Sequence, residues 1–295
     1  MEQRIYRRRG TPDFPMAFYW ATAGKNMKPH CEAECHPDIE ITWVVSGTVT
    51  MQIGGVEKHF HQGDIFLIPP DAVHCRKGFS PDAGTRTLVF STDAIRLPPE
   101  HFFQKEFVQP LIDGRLDLPP VFRPDHPAYE SIRSYMVQFE RNSIRDKDYK
   151  SHRFPLLIGL CTALMPYCSL LSDNNIKQNP GNEVIRRCMY YLCTNYQKKL
   201  TLTDLSNHCH LNPSYLCTLF KQYVGETVFE YLTRIRIEQS VWLLQTTNLP
   251  INRIAENVGF HSECHFFKKF KEIMGMTPKV YAKSITEETQ NSPGQ

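Results

Sequence analysis

The sequence predicts an α+β chain of two domains: an N-terminal β jelly-roll or barrel followed by a helical pair, then an all-α domain in which two helix-turn-helix motifs are joined by one long helix. Three observations carry this. The first half has runs of residues that alternate at period two between glycine turns, the second half changes to helical spacing, and that second half contains one unit twice. A length of 295 residues leaves each domain enough chain to bury its own core.

In the first half, 39–46 is β-branched and aromatic, Gly47 punctuates it, and 48–53 alternates. Gly54-Gly55 is a two-residue hairpin signal, after which the pattern returns over 56–60. Gly63-Asp64 introduces a further strand at 65–68, and more strand follows around 86–91. Short strands joined by tight turns predict a closed or double-sheet architecture over residues 1–120.

Two helices are expected next, over 125–144 and 149–171, within a segment spanning 121–171. Tyr129, Ile132, Tyr135, Met136 and Phe139 line one stripe, and Leu156, Leu157, Leu160, Leu164 and Leu171 line another. Such a pair must bury its stripes, either against a second copy of the chain or against its own barrel. Residues 172–182 are polar, rich in turn formers and poor in apolar anchors, which predicts a linker.

Residues 183–283 form the second domain, and the remaining 284–295 read as a disordered tail. At an offset of fifty, Leu216 matches Phe266, Phe220 matches Phe270, Lys221 matches Lys271, Gly225 matches Gly275, Thr227 matches Thr277 and Tyr231 matches Tyr281. Each copy runs short helix, break, cap residue, amphipathic helix, glycine stop. In the first copy the break is His210-Leu211, and Asn212-Pro213 supplies an N-cap with proline at the first helical position. In the second the break is Gly259-Phe260 and Ser262 is the cap. Leu216, Leu219, Phe220 and Tyr223 fall on the core stripe of one second helix, Phe266 and Phe270 on that of the other. The opposite faces, Ser214, Cys217, Thr218 and Lys221, then Glu263, Cys264, Phe267, Lys268 and Lys271, are the candidates to meet double-stranded DNA. A phenyl ring at Phe267 suits a thymine methyl or a sugar, or its own domain's core. Between the copies, 228–245 reads as an uninterrupted helix with Phe229, Leu232, Ile235, Ile237, Val241, Leu243 and Leu244 at apolar spacing.

Charge follows this division. Residues 183–283 carry thirteen Lys or Arg against eight Asp or Glu, whereas residues 1–182 carry twenty-one of each. The cationic excess therefore sits on the helical repeat, where Lys198, Lys199, Lys221, Arg234, Arg236, Lys268, Lys269, Lys271 and Lys279 are candidates to hold phosphate. Ten cysteines without a Cys-x-x-Cys pair read as reduced thiols, and most suit packing. No apolar run nears the roughly twenty residues that span a bilayer, and no signal-peptide pattern follows Met1, so the expected location is the cytoplasm, with no membrane partner.

Ile254-Ala255, Gly259-Phe260, Phe266, Phe270-Lys271, Gly275, Thr277-Pro278 and Tyr281, with Arg236 and Leu243-Leu244 on the linking helix, resemble the signature of the AraC family of bacterial transcription regulators. His261, His265 and Lys268 depart from that pattern, so the DNA sequence read by this helix does not carry over. In the first half, His36-x3-Glu40-x6-Gly47 and Gly63-x5-Pro69-x4-His74 resemble the two motifs of the cupin barrel, which the family uses as a sensor. Metal-binding cupins begin with His-x-His where this chain has Glu34-Cys35-His36, and Asp71 stands where glycine is usual.

The resemblance implies a regulator, not an enzyme, with a homodimer, RNA polymerase as partner, and an activator's output governed by a small effector, which in many relatives is a sugar. His36, Glu40 and His74 are the expected effector contacts, with Trp43 and Trp20, beside Phe18 and Tyr19, offering ring faces for a sugar to stack on; aromatic residues of a small barrel also serve as core, and Trp43 reads first as one of these. No cofactor is expected. The alternative is that His36, Glu40 and His74, with Cys35 or Cys75 nearby, hold a metal ion, as a cupin enzyme or a metal or redox sensor would. Arg4, Arg7, Arg8 and Arg9 form a basic arm that could cover the barrel mouth, touch DNA or stay solvated.

Overall fold

The computed structural model describes residues 10–11, 13–25, 27, 33–141, 149–171 and 180–290. Arg4, Arg7, Arg8, Arg9, Cys31 and most of the linker lie outside them. The chain divides at Arg186–Arg187 into two compact units.

The first unit is a two-sheet barrel with a helical layer. Its strands are β1 (Met16–Thr22), β2 (Ile39–Ser46), β3 (Thr48–Ile53), β4 (Val56–His61), β5 (Ile65–Ile68), β6 (His74–Phe79) and β7 (Gly84–Phe90). The short α1 (Gln109–Ile112), β8 (Leu116–Asp117) and β9 (Val121–Phe122) follow, then α2 (Tyr129–Arg141), α3 (Tyr149–Leu164) and β10 (Ser169–Leu170). One sheet runs β1-β7-β2-β5-β9 and faces a smaller β4-β3-β6 sheet, while β10 pairs with β8. These strand pairings are antiparallel. Gly54 and Gly55 turn the β3–β4 hairpin with φ +57° and +81°, the double left-handed geometry that makes glycine the fitting residue there.

Alternation along β2 sets two cores on opposite faces of the larger sheet. Ile39 and Ile41 point outward into a cluster with Phe18, Leu88 and Phe90, while Val44 points inward with Phe66 and Ile68 against Val49, Met51 and Phe60 of the smaller sheet. The outward cluster is closed by Ile132, Met136 and Phe139 of α2 and by Leu157, Leu160, Cys161 and Leu164 of α3. Most residues of the stripes predicted from sequence are thus buried inside the protomer. The reason is area: the outer side of a five-stranded sheet is as apolar as the inner one and needs its own cover.

Other expectations change in detail. Strands β1 and β6 add to those predicted. Helix α3 ends at Leu164 rather than at Leu171, because a short turn through Pro166 leads into β10. The linker gives way to helix at Pro180, so its last three residues are helical, and the final helix continues to Gln290, well into the segment expected to be disordered.

The second unit contains most of α4 (Pro180–Asn195), then α5 (Leu202–Cys209), most of α6 (Pro213–Val224), α7 (Val228–Thr246), α8 (Ile251–Asn257), α9 (Glu263–Met274) and α10 (Pro278–Gln290). Capping boxes start α5 at Thr201–Asp204 and α7 at Thr227–Glu230. At nineteen residues α7 is about 28 Å long. It buries Tyr231 along with Leu232, Ile235 and Ile237, whereas Phe229, expected in the core, is 44% exposed. Among the described residues no helix is long and apolar enough to cross a membrane.

Candidate DNA-binding surface and barrel site

Helix α6 is started by Asn212, whose Oδ1 accepts from the Ser214 amide at 2.9 Å, with Pro213 behind it. Leu216, Leu219, Phe220 and Tyr223 are buried, and Ser214, Cys217, Thr218 and Lys221 lie exposed on the other side, as their spacing predicted. Thr218 donates its hydroxyl to the Ser214 carbonyl at 3.1 Å, which leaves its oxygen lone pairs outward. Tyr215, 55% exposed beside them, was missed by sequence reasoning, although its position one residue before a core leucine gave the signal.

Helix α9 has the same construction. Ser262 accepts from the His265 amide, and Gly275 ends the helix at φ +76°. Phe266 and Phe270 are fully buried, while Glu263, Cys264, Lys268 and Lys271 are exposed. Phe267 is half-buried, its ring edge-on to Phe266 at 5.9 Å, so it belongs partly to the core and partly to the surface.

Two tight turns aim these helices, and they differ by one residue. In the first copy His210 takes the left-handed conformation, φ +55°, two residues before the cap Asn212. In the second it is Gly259, φ +90°, three residues before the cap Ser262. A Cβ on Gly259 would stand 2.8 Å from the Tyr196 carbonyl oxygen and 2.9 Å from that of Gln197, so only glycine fits the approach.

The basic residues sort by what they already hold. Arg236 donates from Nε to the Tyr196 carbonyl at 2.8 Å and from Nη2 to that of Lys198 at 2.9 Å, and lies 5.8 Å over the Phe260 ring. Burial pushes its pKa down. Arg234 is paired with Glu226 and Glu238, and Lys269 with Glu272 at 2.7 Å. Arg236 and Arg234 are thus committed to partners within the domain, whereas Lys269 is part of a surface ion pair and keeps about a third of its side chain exposed. Lys221, Lys268 and Lys271 are exposed and have no ion-pair partner within 4.0 Å among the described residues.

In the barrel, a cavity of about 180 Å³ opens between the sheets, lined by Tyr19, Glu34, Glu40, Thr42, His74 and Arg76, with Thr85 and Thr87 on β7. Glu40 and Thr42 share the inward face of β2; Trp43 does not, since alternation turns it outward against the helical layer. Trp20 likewise faces away from the cavity and is 61% exposed. Neither tryptophan lines the site; Tyr19 and Phe66 are the aromatics that do. Arg86 pairs in register with both tryptophans and ion-pairs with Glu140 of α2, so that face belongs to the helical layer.

His36 lies behind the cavity wall, and is 2% exposed. Its Nδ1 donates to the Asp38 carbonyl at 3.2 Å, and that of His74 to the Ala72 carbonyl at 2.8 Å. A carbonyl accepts only, so both rings are held with Nε2 toward Glu40, whose Oε2 is 3.7 Å from each. Thr42 donates to the other carboxylate oxygen at 3.2 Å and so orients it. For His36, burial opposes the charged form, but Glu40 outweighs it and its pKa is raised; for fully enclosed His74 burial wins and its pKa is lowered. Glu34, His36 and His74 can bring one ligand atom each within 4.8 Å of one another. Asp71 takes φ +60°, which aspartate tolerates better than most residues where the motif usually has glycine, and its amide donates to the His36 carbonyl at 2.8 Å. Cys35 turns away and donates to the Asp71 carbonyl, and burial pushes its thiol up to about 12. Cys75 is the strand neighbour of His74 and points to the opposite face.

A helix-turn-helix domain model matches residues 205–284 and a cupin domain model residues 26–77. The HTH-type transcriptional regulator YdeC of Bacillus subtilis is 22% identical over 281 residues, covering 92% of this chain and 93% of that one. The arabinose operon regulatory protein of Salmonella typhimurium is 25% identical over 222 residues, 74% of each chain. The chain belongs to the AraC family of transcription regulators. A third AraC-type relative, the melibiose operon regulatory protein of Escherichia coli, is 30% identical over 128 residues, 41% of this chain and 42% of its own. The family assignment makes the helical unit a DNA-binding domain and the barrel its effector domain. The relatives are regulators, not dedicated enzymes.

Proposed function

We propose that this AraC-family protein is a transcription activator, that α6 and α9 enter successive major grooves, and that a small polyhydroxylated metabolite in the barrel controls it. The observation that supports this most is the pairing of two capped helices, each with a buried aromatic or leucine stripe and an exposed face that carries lysine outside any described ion pair, on either end of a 19-residue helix. About 28 Å of α7 matches one turn of B-DNA, about 34 Å, within the width of the helices it joins. Ser214, Cys217, Thr218, Lys221, Glu263, Cys264, Phe267, Lys268 and Lys271 are the contact residues in this reading.

The barrel side rests on the cavity's composition. Two carboxylates, three threonines, a tyrosine, a histidine and an arginine share the lining of about 180 Å³ with five apolar residues, which suits a compact ligand with both hydroxyls and an apolar ring face, in keeping with relatives named for the arabinose and melibiose operons. In this reading the chain works in the cytoplasm as a homodimer and recruits RNA polymerase. The dimer contact is the outer side of α3, where Phe154 is 42% exposed and Ile158 half-buried. The deciding experiment is selection of bound fragments from random-sequence DNA, followed by nuclease footprinting of full-length protein. Protection across two successive major grooves on one face is the expected result, and protection no longer than a single groove overturns the paired-helix reading.

A further inference from the structure

The first helix-turn-helix copy encloses a pair of thiols that the second copy lacks. Cys188 lies on α4 and Cys209 is the last residue of α5, and the two are 0% and 3% exposed. Tyr191 stacks on His208 with ring centroids 4.2 Å apart, which lays this turn of α4 against the end of α5. Cys188 is one turn before Tyr191 and Cys209 is the residue after His208, so the same contact brings the thiols together. Both are free cysteines, and the Cys188 thiol hydrogen-bonds to that of Cys209.

Packing does not require sulfur at this place. Leu205, Ser206 and Cys209 recur as Ile254, Ala255 and Val258, at the same spacing and equally buried, so a valine fills the corresponding position of the second copy. What the thiols add is chemistry. The hydrogen bond from Cys188 lowers the pKa of Cys209, Arg187 acting in the same direction, and so favours the thiolate that attacks a peroxide. Cys209 also adjoins the exposed turn residue His210, the side from which a small oxidant reaches it.

We propose that Cys188 and Cys209 form a modification site for hydroperoxides, whose product is a disulfide between α4 and α5 that resets the recognition helix α6. With hydrogen peroxide, the Cys209 sulfur attacks one oxygen and the O–O bond breaks; Cys209 becomes a sulfenic acid, and the other oxygen leaves as water with the thiol proton. Cys188 then attacks the Cys209 sulfur, the S–O bond breaks, and the hydroxyl leaves as a second water with the Cys188 proton. Both thiols are thereby oxidised and one peroxide is reduced. An S–S bond is about 2.05 Å long, shorter than any thiol–thiol hydrogen bond, so closure draws the end of α5 toward α4. His210 at φ +55° follows directly and Asn212, the cap of α6, two residues later, so the shift passes into the turn that aims the helix. The effect on DNA rests on the reading of α6 given above, whereas the bond itself does not.

The test uses full-length protein, reduced, freed of reductant, exposed to hydrogen peroxide alone, then alkylated and digested with chymotrypsin. Cleavage after Tyr190 and Leu205 and after Leu211 leaves Cys188 and Cys209 on peptides that carry no other cysteine. The expected result is a cross-link between those peptides, with affinity for a fragment selected from random-sequence DNA changed about fivefold or more and restored by dithiothreitol. Cys209→Val, which installs the residue of the second copy, should bind that fragment as the reduced parent does, form no cross-link and ignore peroxide. Cys193→Ser on the same helix should respond as the parent does. Parent protein that keeps both thiols under peroxide, or pairs either with a different cysteine, overturns the site, and a Cys188–Cys209 bond that leaves affinity unchanged overturns the switch. If no selected fragment binds even the reduced protein, the regulator reading fails while the cross-link still decides the site.

Discussion

Arg236 separates two roles that its chemistry allows equally, a grip on DNA phosphate and a clamp inside the domain. The structure has it donating to the Tyr196 and Lys198 carbonyls, just past the end of α4, with its charge against Phe260 in the second turn. Replacement by Met keeps most of the apolar stem and removes both hydrogen bonds. Hydrogen bonds to a charged donor contribute about 1.5–3 kcal/mol each, and the residue is only half-buried, so the lower end applies, about 2 to 3 kcal/mol in total. For a domain of about 100 residues that corresponds to roughly 10 °C or more in the transition of the helical unit. The assay is thermal unfolding of the full chain, paired with DNA affinity measured across a salt series well below the transition. If Arg236 instead neutralised a phosphate, its replacement would lower the slope of log affinity against log salt by about 0.9. The expectation is a lower melting temperature with that slope unchanged. An unchanged melting temperature with the slope reduced would falsify the clamp.

The two turns give opposite tests of backbone geometry. Gly259→Ala places a Cβ at φ +90° and within 2.8 Å of a carbonyl oxygen, so it should destabilise the helical unit by about 2 kcal/mol or more, seen as a lower urea midpoint. His210→Val puts a β-branched residue at φ +55°, at a cost of about 1–2 kcal/mol, whereas His210→Gly should hold or gain stability; a Val variant as stable as the parent would mean the turn does not need the left-handed residue. In the barrel, Trp20→Ala should leave effector-induced thermal stabilisation intact, and Glu40→Gln should reduce it by at least half. An equal reduction in both would place the effector outside the inward cavity.

How much of this was legible in the sequence depends on what each signal encodes. The repeat at offset fifty fixes helix-turn-helix copies because core aromatics, glycine stops and caps must recur for both to pack, and all of them reappear in place. Strand β1, Met-Ala-Phe-Tyr-Trp-Ala-Thr, is hidden because its two faces, one toward the helical layer and one toward the cavity, are both largely apolar, so no alternation marks it. Strand β6 begins His-Cys-Arg-Lys-Gly and looks like loop, since one of its faces lines a polar site. As effector contacts the tryptophans are misplaced, and Trp43 packs against the core as its other reading had it; the information is present, since Glu40 and Trp43 are three residues apart on one strand and cannot share a face. What no local pattern carries is which outer face of a sheet receives a helical layer, and that decides both the tryptophans and the fate of the α2 and α3 stripes.

The two recognition helices are chemically unequal, and this bears on how the domain would read DNA. Helix α6 presents Ser214, Cys217, Thr218 and Tyr215, neutral groups suited to base edges and thymine methyls, with one lysine, Lys221, in its last turn. Helix α9 presents Lys268 and Lys271 beside the half-buried Phe267, with Glu263 at its start. Two ammonium groups one turn apart on an exposed face act as point charges, which hold a backbone more readily than they fork onto a base. Lys268→Ala and Lys271→Ala should therefore each weaken binding to specific and random DNA by a similar factor and lower the salt slope by about 0.9. Thr218→Ala and Cys217→Ala should instead reduce discrimination between selected and random sites, with the slope unchanged. If the α9 lysines alter sequence preference while the α6 substitutions do not, the division of labour between the helices is reversed, and Phe267 with Lys268 becomes the base-reading pair.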